Sequence, residues 1–193
     1  MPLPRKVPGA VAALRRARAG TGMLLVLLAL PFAIGGLTGA RPAAMALGLV
    51  AGPLALLLFG ELCEERPPTR HSATAMAART LTGMRSVDLN HITSVRLLTT
   101  FSYGGTYRTL VVRDAHGVRL GVTSAAGRRA LNKALERQTR DQTRRRPRVS
   151  RAASCCLGTG RPGHLAPHIT LVFLAQVGTI CAYVVAVLEV GVG

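Results

Sequence analysis

Tryptophan is absent from this chain of 193 residues, and aromatic side chains make up only 4% of it. A soluble core in a chain that is 49% apolar ordinarily uses more Phe, Tyr and Trp. The apolar residues instead stand in blocks of Leu, Val and Ala, which points to lipid contact. The same scarcity removes the stacking platform that single-stranded nucleic acid binding needs. Lysine is nearly missing, Lys6 and Lys133 being the only two among 25 basic residues. Acids are few as well, 8 in all, and the net charge of +17 favours anionic partners: lipid headgroups or an acidic protein ahead of nucleic acid. No phosphate loop, dinucleotide fingerprint, nucleophile elbow or zinc-protease motif is present, so the chain is read as a non-enzyme without cofactor.

What is present is three charge-free apolar runs. Met23 to Leu37, lengthened by Thr21 and Gly22, is the first, Ala43 to Gly60 the second, and Ile169 to Leu188 the third. At about 1.5 Å per residue the third covers a hydrocarbon core of about 30 Å, and the first nearly does. The link from Thr38 to Pro42 makes a helical hairpin of the first two, residues 21–62, with Pro42 suited to a helix start. Pro31 and Pro53 are expected to kink the helices that contain them. Arg5, Lys6, Arg15, Arg16 and Arg18 precede the first run, whereas the link carries only Arg41. The positive-inside rule then places the N-terminus (1–20) and residues 63–168 in the cytosol and the tail 189–193 outside, in a multi-pass plasma-membrane protein. A cleaved leader is the competing reading of the first run, with Thr38-Gly39-Ala40 before Arg41. The second run follows so closely that the hairpin is preferred. Cys63, Cys155 and Cys156 fall on the cytosolic side and Cys181 in lipid, so a disulfide framework is not expected.

Small residues mark candidate helix-packing faces: Ala44, Gly48 and Gly52 in the second run, and Gly178, Ala182 and Ala186 in the third. Packing among the three spans is the preferred use, and contact between copies the alternative.

Between the second and third spans the pattern changes. Residues 63–78 read as a linker, stiffened by Arg66-Pro67-Pro68. From residue 79 to 138 the sequence predicts about four antiparallel strands and a helix. Val87 and Leu89 lie on one face of a first strand, and Val95, Leu97, Thr99, Phe101 and Tyr103 on one face of a second. Gly104-Gly105 predicts a hairpin to a strand from Thr106 to Arg113, and the turn Asp114 to Gly117 leads to Val118, Leu120 and Val122. Ser124 is placed to cap a helix reaching Gln138, with Ala130, Leu131, Ala134 and Leu135 as its apolar stripe. Residues 139–168, rich in Arg, then Gly and Pro, predict a linker of little fixed structure. The predicted fold class is therefore membrane α+β: three transmembrane helices and a small antiparallel sheet with one C-terminal helix.

The segments Gly83-Met84-Arg85-Ser86-Val87-Asp88-Leu89 and Ile92-Thr93-Ser94-Val95, followed by two hairpins and a helix, resemble the latter part of bacterial pleckstrin-homology-like (PH-like) domains. Leu110 to Leu120 is also similar to stretches of small actinobacterial membrane proteins. The resemblance covers about a third of the chain and rests on strands and turns. It implies lipid or protein binding and assigns no ligand residues. The strands counted here are fewer than a full domain of that family carries, so the module reads as an incomplete PH-like fold.

Several side-chain groups invite chemistry and have plainer readings. Cys155-Cys156 with His164 and His168 lacks the spacing of a structural zinc site. Asp114 and His116 share a turn with no nucleophile, and the turn accounts for Asp114. Glu61, Glu64 and Glu65 at the lipid edge read as headgroup-level solvation and local pairing with Arg66. Gln176, alone in a span, reads as a bond between helices. The densest charge run is Arg140, Arg144, Arg145, Arg146, Arg148 and Arg151, the candidate contacts to anionic lipid. The expectation is a non-enzymatic, membrane-held interaction module for inner-leaflet lipid or a protein partner, as in an accessory subunit of an envelope complex. A membrane-embedded regulator of a signalling protein is the alternative, and a transporter component comes third.

Overall fold

A computed structural model describes residues 9–102, 105–141, 146–160, 163 and 165–192. Among the described residues three helices are long and apolar enough to cross a membrane: α1 (Ala10–Thr38), α2 (Arg41–Glu61) and α5 (Leu165–Val192). Gly39 turns the chain between α1 and α2 in a left-handed conformation (φ 67°) that a side chain would strain. Ala44, Ala51 and Ala55 are buried on α2. A Cβ on Gly48 would lie 2.7 Å from Val187, and one on Gly52 would collide with the Tyr183 ring. Only glycine lets α5 approach so closely there. Tyr183 also meets Phe32 edge-to-face at 5.8 Å, so its ring joins all three helices. Gly178 and Ala182 do not share this packing: a Cβ on Gly178 meets nothing within 4 Å, and Ala182 is exposed.

The strands are β1 (Arg66–His71), β2 (Ala75–Thr80), β3 (Gly83–Asp88), β4 (Ile92–Ser102), β5 (Gly105–Asp114), β6 (Arg119–Val122) and β7 (Arg148–Val149), with α3 (Ala125–Arg140) and α4 (Arg151–Cys156). They form a three-stranded sheet, β1-β2-β3, and a four-stranded sheet, β6-β5-β4-β7. All pairs are antiparallel except β4 with β7. One core joins both sheets to α3: Met76, Val87 and Leu89 meet Val95, Leu110, Val112 and Leu120 beneath Leu131 and Ala134. Ser124 caps α3 as its sequence predicts, accepting from the Gly127 amide at 3.1 Å.

Three boundaries differ from the sequence reading. Residues 63–78, expected as linker, contain β1 and most of β2. Pro67 and Pro68 sit where the β1–β2 register shifts, on an edge strand, where a missing N–H is tolerated. In β2 the inward positions are Met76, Ala78 and Thr80, too small and polar for a clear alternation. Residues 139–168 are not a loose linker throughout. Ser150 caps α4, whose Ala152 and Ala153 are buried in the core together with Leu157. Alanine fits that gap and leaves no sequence signal. Finally, the basic N-terminal stretch is helical from Ala10. Ala13 is buried, and Ala10 packs on the module's core. Thus α1 runs unbroken from the module into the apolar hairpin.

Candidate functional site

The C-terminal half of α3 and the segment from Arg146 to Thr159 enclose a groove of about 460 Å³. Asn132, Glu136, Thr139 and Arg140 line it from α3, and Arg146, Val149, Ser154 and Thr159 from the other wall. Two elements hold the walls together. Asn132 donates its side-chain amide to the Leu157 carbonyl at 3.1 Å, and β7 pairs with β4 through Ser94–Arg148 and Val95–Val149. Of the predicted arginines, Arg140 and Arg146 line this groove. Arg148 stands next to Val149 on a strand, so it points to the opposite face. Arg151 opens α4, is exposed and does not line the groove. Arg144 and Arg145 lie outside the described residues. Among the described residues the groove is thus lined by two guanidinium groups, the hydroxyls of Thr139, Ser154 and Thr159, the apolar Leu135, Pro147, Val149 and Leu157, and one acid, Glu136. That set suits an anionic group with an apolar neighbour and has no nucleophile–base pair.

A second cluster ties the hairpin to the module, and its members were not evident as a set in the sequence. Past α2 the backbone bridges to β6: the Gly121 amide donates to the Cys63 carbonyl at 2.7 Å, and the Glu65 amide to the Gly121 carbonyl at 2.9 Å. Gly121 is required there, because a Cβ would sit 3.0 Å from the Cys63 carbonyl oxygen. The Glu65 carboxylate is buried. It accepts from the Thr123 amide at 2.8 Å and the Ser124 amide at 2.5 Å, at the start of α3. A negative group there also favours the helix dipole. Arg85, buried on β3, donates to the Arg119 carbonyl at 2.9 Å and to Thr82 Oγ1 at 2.5 Å, and contacts Cys63 Sγ at 3.4 Å. Glu61 pairs with Arg66 at 2.5 Å, both half-exposed, an arrangement worth little. Burial pushes the Glu64 carboxyl up; Glu61 and Glu65 reinforce this and Arg66 opposes it. Of the three glutamates read as headgroup-level solvation, Glu65 is thus a structural bond between the segment that follows α2 and the start of α3.

The remaining groups do not converge. Cys155 and Cys156 are adjacent on α4, about 100° apart around its axis, and His164 lies outside the described residues. Among the described residues no cluster of three or more His, Cys, Asp and Glu is placed to hold a metal ion. Asp114 is buried and accepts from the Val118 amide at 2.9 Å and the Asp88 amide at 3.3 Å, which fixes its turn. Asp88 in turn holds His91 Nδ1 at 2.7 Å. Burial pushes the Asp88 carboxyl up, but the hydrogen bonds from His91 and the Asn90 amide outweigh it, and the group ends below its usual range. A depressed carboxyl adds stability above its unfolded pKa, near 3.9, and loses it as pH falls through the folded value. Thermal melts of the full chain from pH 7 to pH 3 should therefore show a steeper acid loss for wild type than for Asp88→Asn. Parallel curves would mean that the pair contributes nothing.

Compared with models of known families, with curated proteins and with solved structures, the chain matches none.

Proposed function

We propose that this chain is a non-enzymatic, multi-pass plasma-membrane protein whose PH-like module, held at the inner leaflet, binds anionic headgroups in the groove between α3 and α4. The observation that carries this reading is that Arg140 and Arg146 both line one groove, together with the apolar Leu135, Val149 and Leu157. Two mainly antiparallel sheets, with α3 following β6, support the PH-like assignment, and the basic flanks of the apolar helices support the orientation. An accessory role in an envelope complex is compatible with a module that binds and does not react.

The test uses the full chain in neutral-lipid nanodiscs, with flotation of added phosphatidylglycerol vesicles as the readout. Each basic residue near an anionic surface contributes about 1 kcal/mol, so Arg140→Gln with Arg146→Gln should weaken binding about thirty-fold at moderate salt. Equal binding by the double variant sinks the headgroup reading and turns attention to an acidic protein partner.

A second reading, a membrane-embedded regulator, is favoured by one specific feature. The module is fixed to the hairpin twice, through unbroken α1 and through Glu65. A shift of the hairpin would move β6 and α3 with it.

A further inference from the structure

The chain's few aromatic rings are not scattered. Phe32, Phe59, Phe173 and Tyr183 lie in the apolar helices, and Phe101 and Tyr107 lie near the paired ends of β4 and β5. Nothing between Leu97 and Tyr107 is charged, and Arg108 is the first cation behind the end.

The hairpin end rests on α5. The Phe101 ring meets Phe173 edge-to-face at 5.3 Å, and the Phe101 carbonyl accepts from Gln176 Nε2 at 3.4 Å. Its depth follows from the helix register. Gly48 faces Val187 and Gly52 faces Tyr183, so α2 and α5 run antiparallel and in step. Seven residues further, Gln176 is level with Phe59, where the second apolar run ends. The third run starts at Ile169, so it overhangs the second by about 10 Å at 1.5 Å per residue. The overhang is apolar and largely bare: Leu171 is 69% and Leu174 63% exposed.

The overhang cannot be left in water if α5 crosses the bilayer on its apolar run. From Gln176 to Leu188 that run measures only about 20 Å, against about 30 Å of hydrocarbon. Whatever depth Phe173 takes, Phe101 takes beside it. We infer that the β4–β5 hairpin end is a membrane-immersed element, seated in the inner leaflet next to the first turns of α5. Tyr107, 53% exposed, lies at the interface, and Arg108, paired with Thr99 two residues behind Phe101, reaches the phosphates. Lipid is the occupant because the patch is continuous with the lipid-facing side of α5. This inference rests on the reading that the three helices span.

The absence of tryptophan supplies the test. Single reporters are placed in the full chain in nanodiscs made with bromine-labelled acyl chains: Tyr107→Trp at the hairpin end, Thr106→Trp as a second site, Val185→Trp on the bare face of α5 and Arg70→Trp on the exposed edge strand. Tyr107→Trp and Thr106→Trp should be blue-shifted and quenched severalfold more than Arg70→Trp, approaching Val185→Trp. Quenching of Val185→Trp alone, with both hairpin reporters open to aqueous iodide, overturns the inference and leaves the spans intact. An unquenched Val185→Trp overturns the spanning reading itself.

Discussion

Glu65→Ala is expected to destabilise the module by about 3 kcal/mol, because two backbone amides lose a charged acceptor in a site with little water. The Glu65 oxygen that accepts from Thr123 and Ser124 does so at the first turn of α3, where helix amides have no partner of their own. Alanine leaves the Thr123 and Ser124 amides unsatisfied and removes the negative charge from the helix start. The other carboxylate oxygen is buried with no hydrogen-bond partner among the described residues, which offsets part of the gain and holds the loss to about 3 kcal/mol. Glu65→Gln retains an acceptor oxygen and should lose about 1 kcal/mol. Hydrogen exchange of the full chain locates the effect. In Glu65→Ala the α3 amides should exchange faster while those of α1 and α2 keep wild-type protection. Equal loss in all three helices would mean that Glu65 holds the whole fold and not one joint.

That joint was invisible in the sequence for a simple reason. Glu65 and its acceptor role are separated from Thr123 and Ser124 by most of the module, and a glutamate next to Glu64 and Arg66 at a lipid edge has an ordinary local reading. The elements that were legible are those with strong periodic or turn chemistry. Val95, Leu97 and Phe101 alternate, Gly105 follows a strand, and Ser124 precedes an apolar stripe, and the corresponding strands and helix are present. Candidate spans were legible because long apolar runs have few other uses. The segments that failed share small or awkward residues. In β2 the buried side chains are Met76, Ala78 and Thr80, α4 buries two alanines, and β1 carries Pro67 and Pro68 directly after its first residue. None of these carries a hydrophobic pattern; they become strand or helix because the neighbouring core accepts them. Of the charge run, Arg140 and Arg146 line the groove. Which arginines converge depended on β7, a two-residue pairing that no sequence pattern predicts.

Gly52→Leu is the other substitution with a large expected effect, about 3 kcal/mol, at the upper end of what overpacking does. Even the first carbon of a side chain at residue 52 collides with the Tyr183 ring. The ring has little freedom to yield. Its edge meets Phe32 of α1, and its hydroxyl donates to the Leu28 carbonyl at 3.4 Å. Moving it sacrifices an aromatic pair worth about 1 kcal/mol and separates α2 from α5. Gly178→Leu provides the contrast, since that position faces open space and its neighbour on the stripe, Ala182, is exposed. It should change stability by less than about 0.5 kcal/mol. Thermal unfolding in detergent, read beside the oligomeric state, decides between the two faces. A large loss for Gly52→Leu alone assigns the Ala44–Gly48–Gly52 stripe to packing within one chain. If Gly178→Leu instead shifts the oligomeric state, the stripe from Gly178 to Ala182 is a contact between copies, and the bare side of α5 is shared by lipid and a second chain.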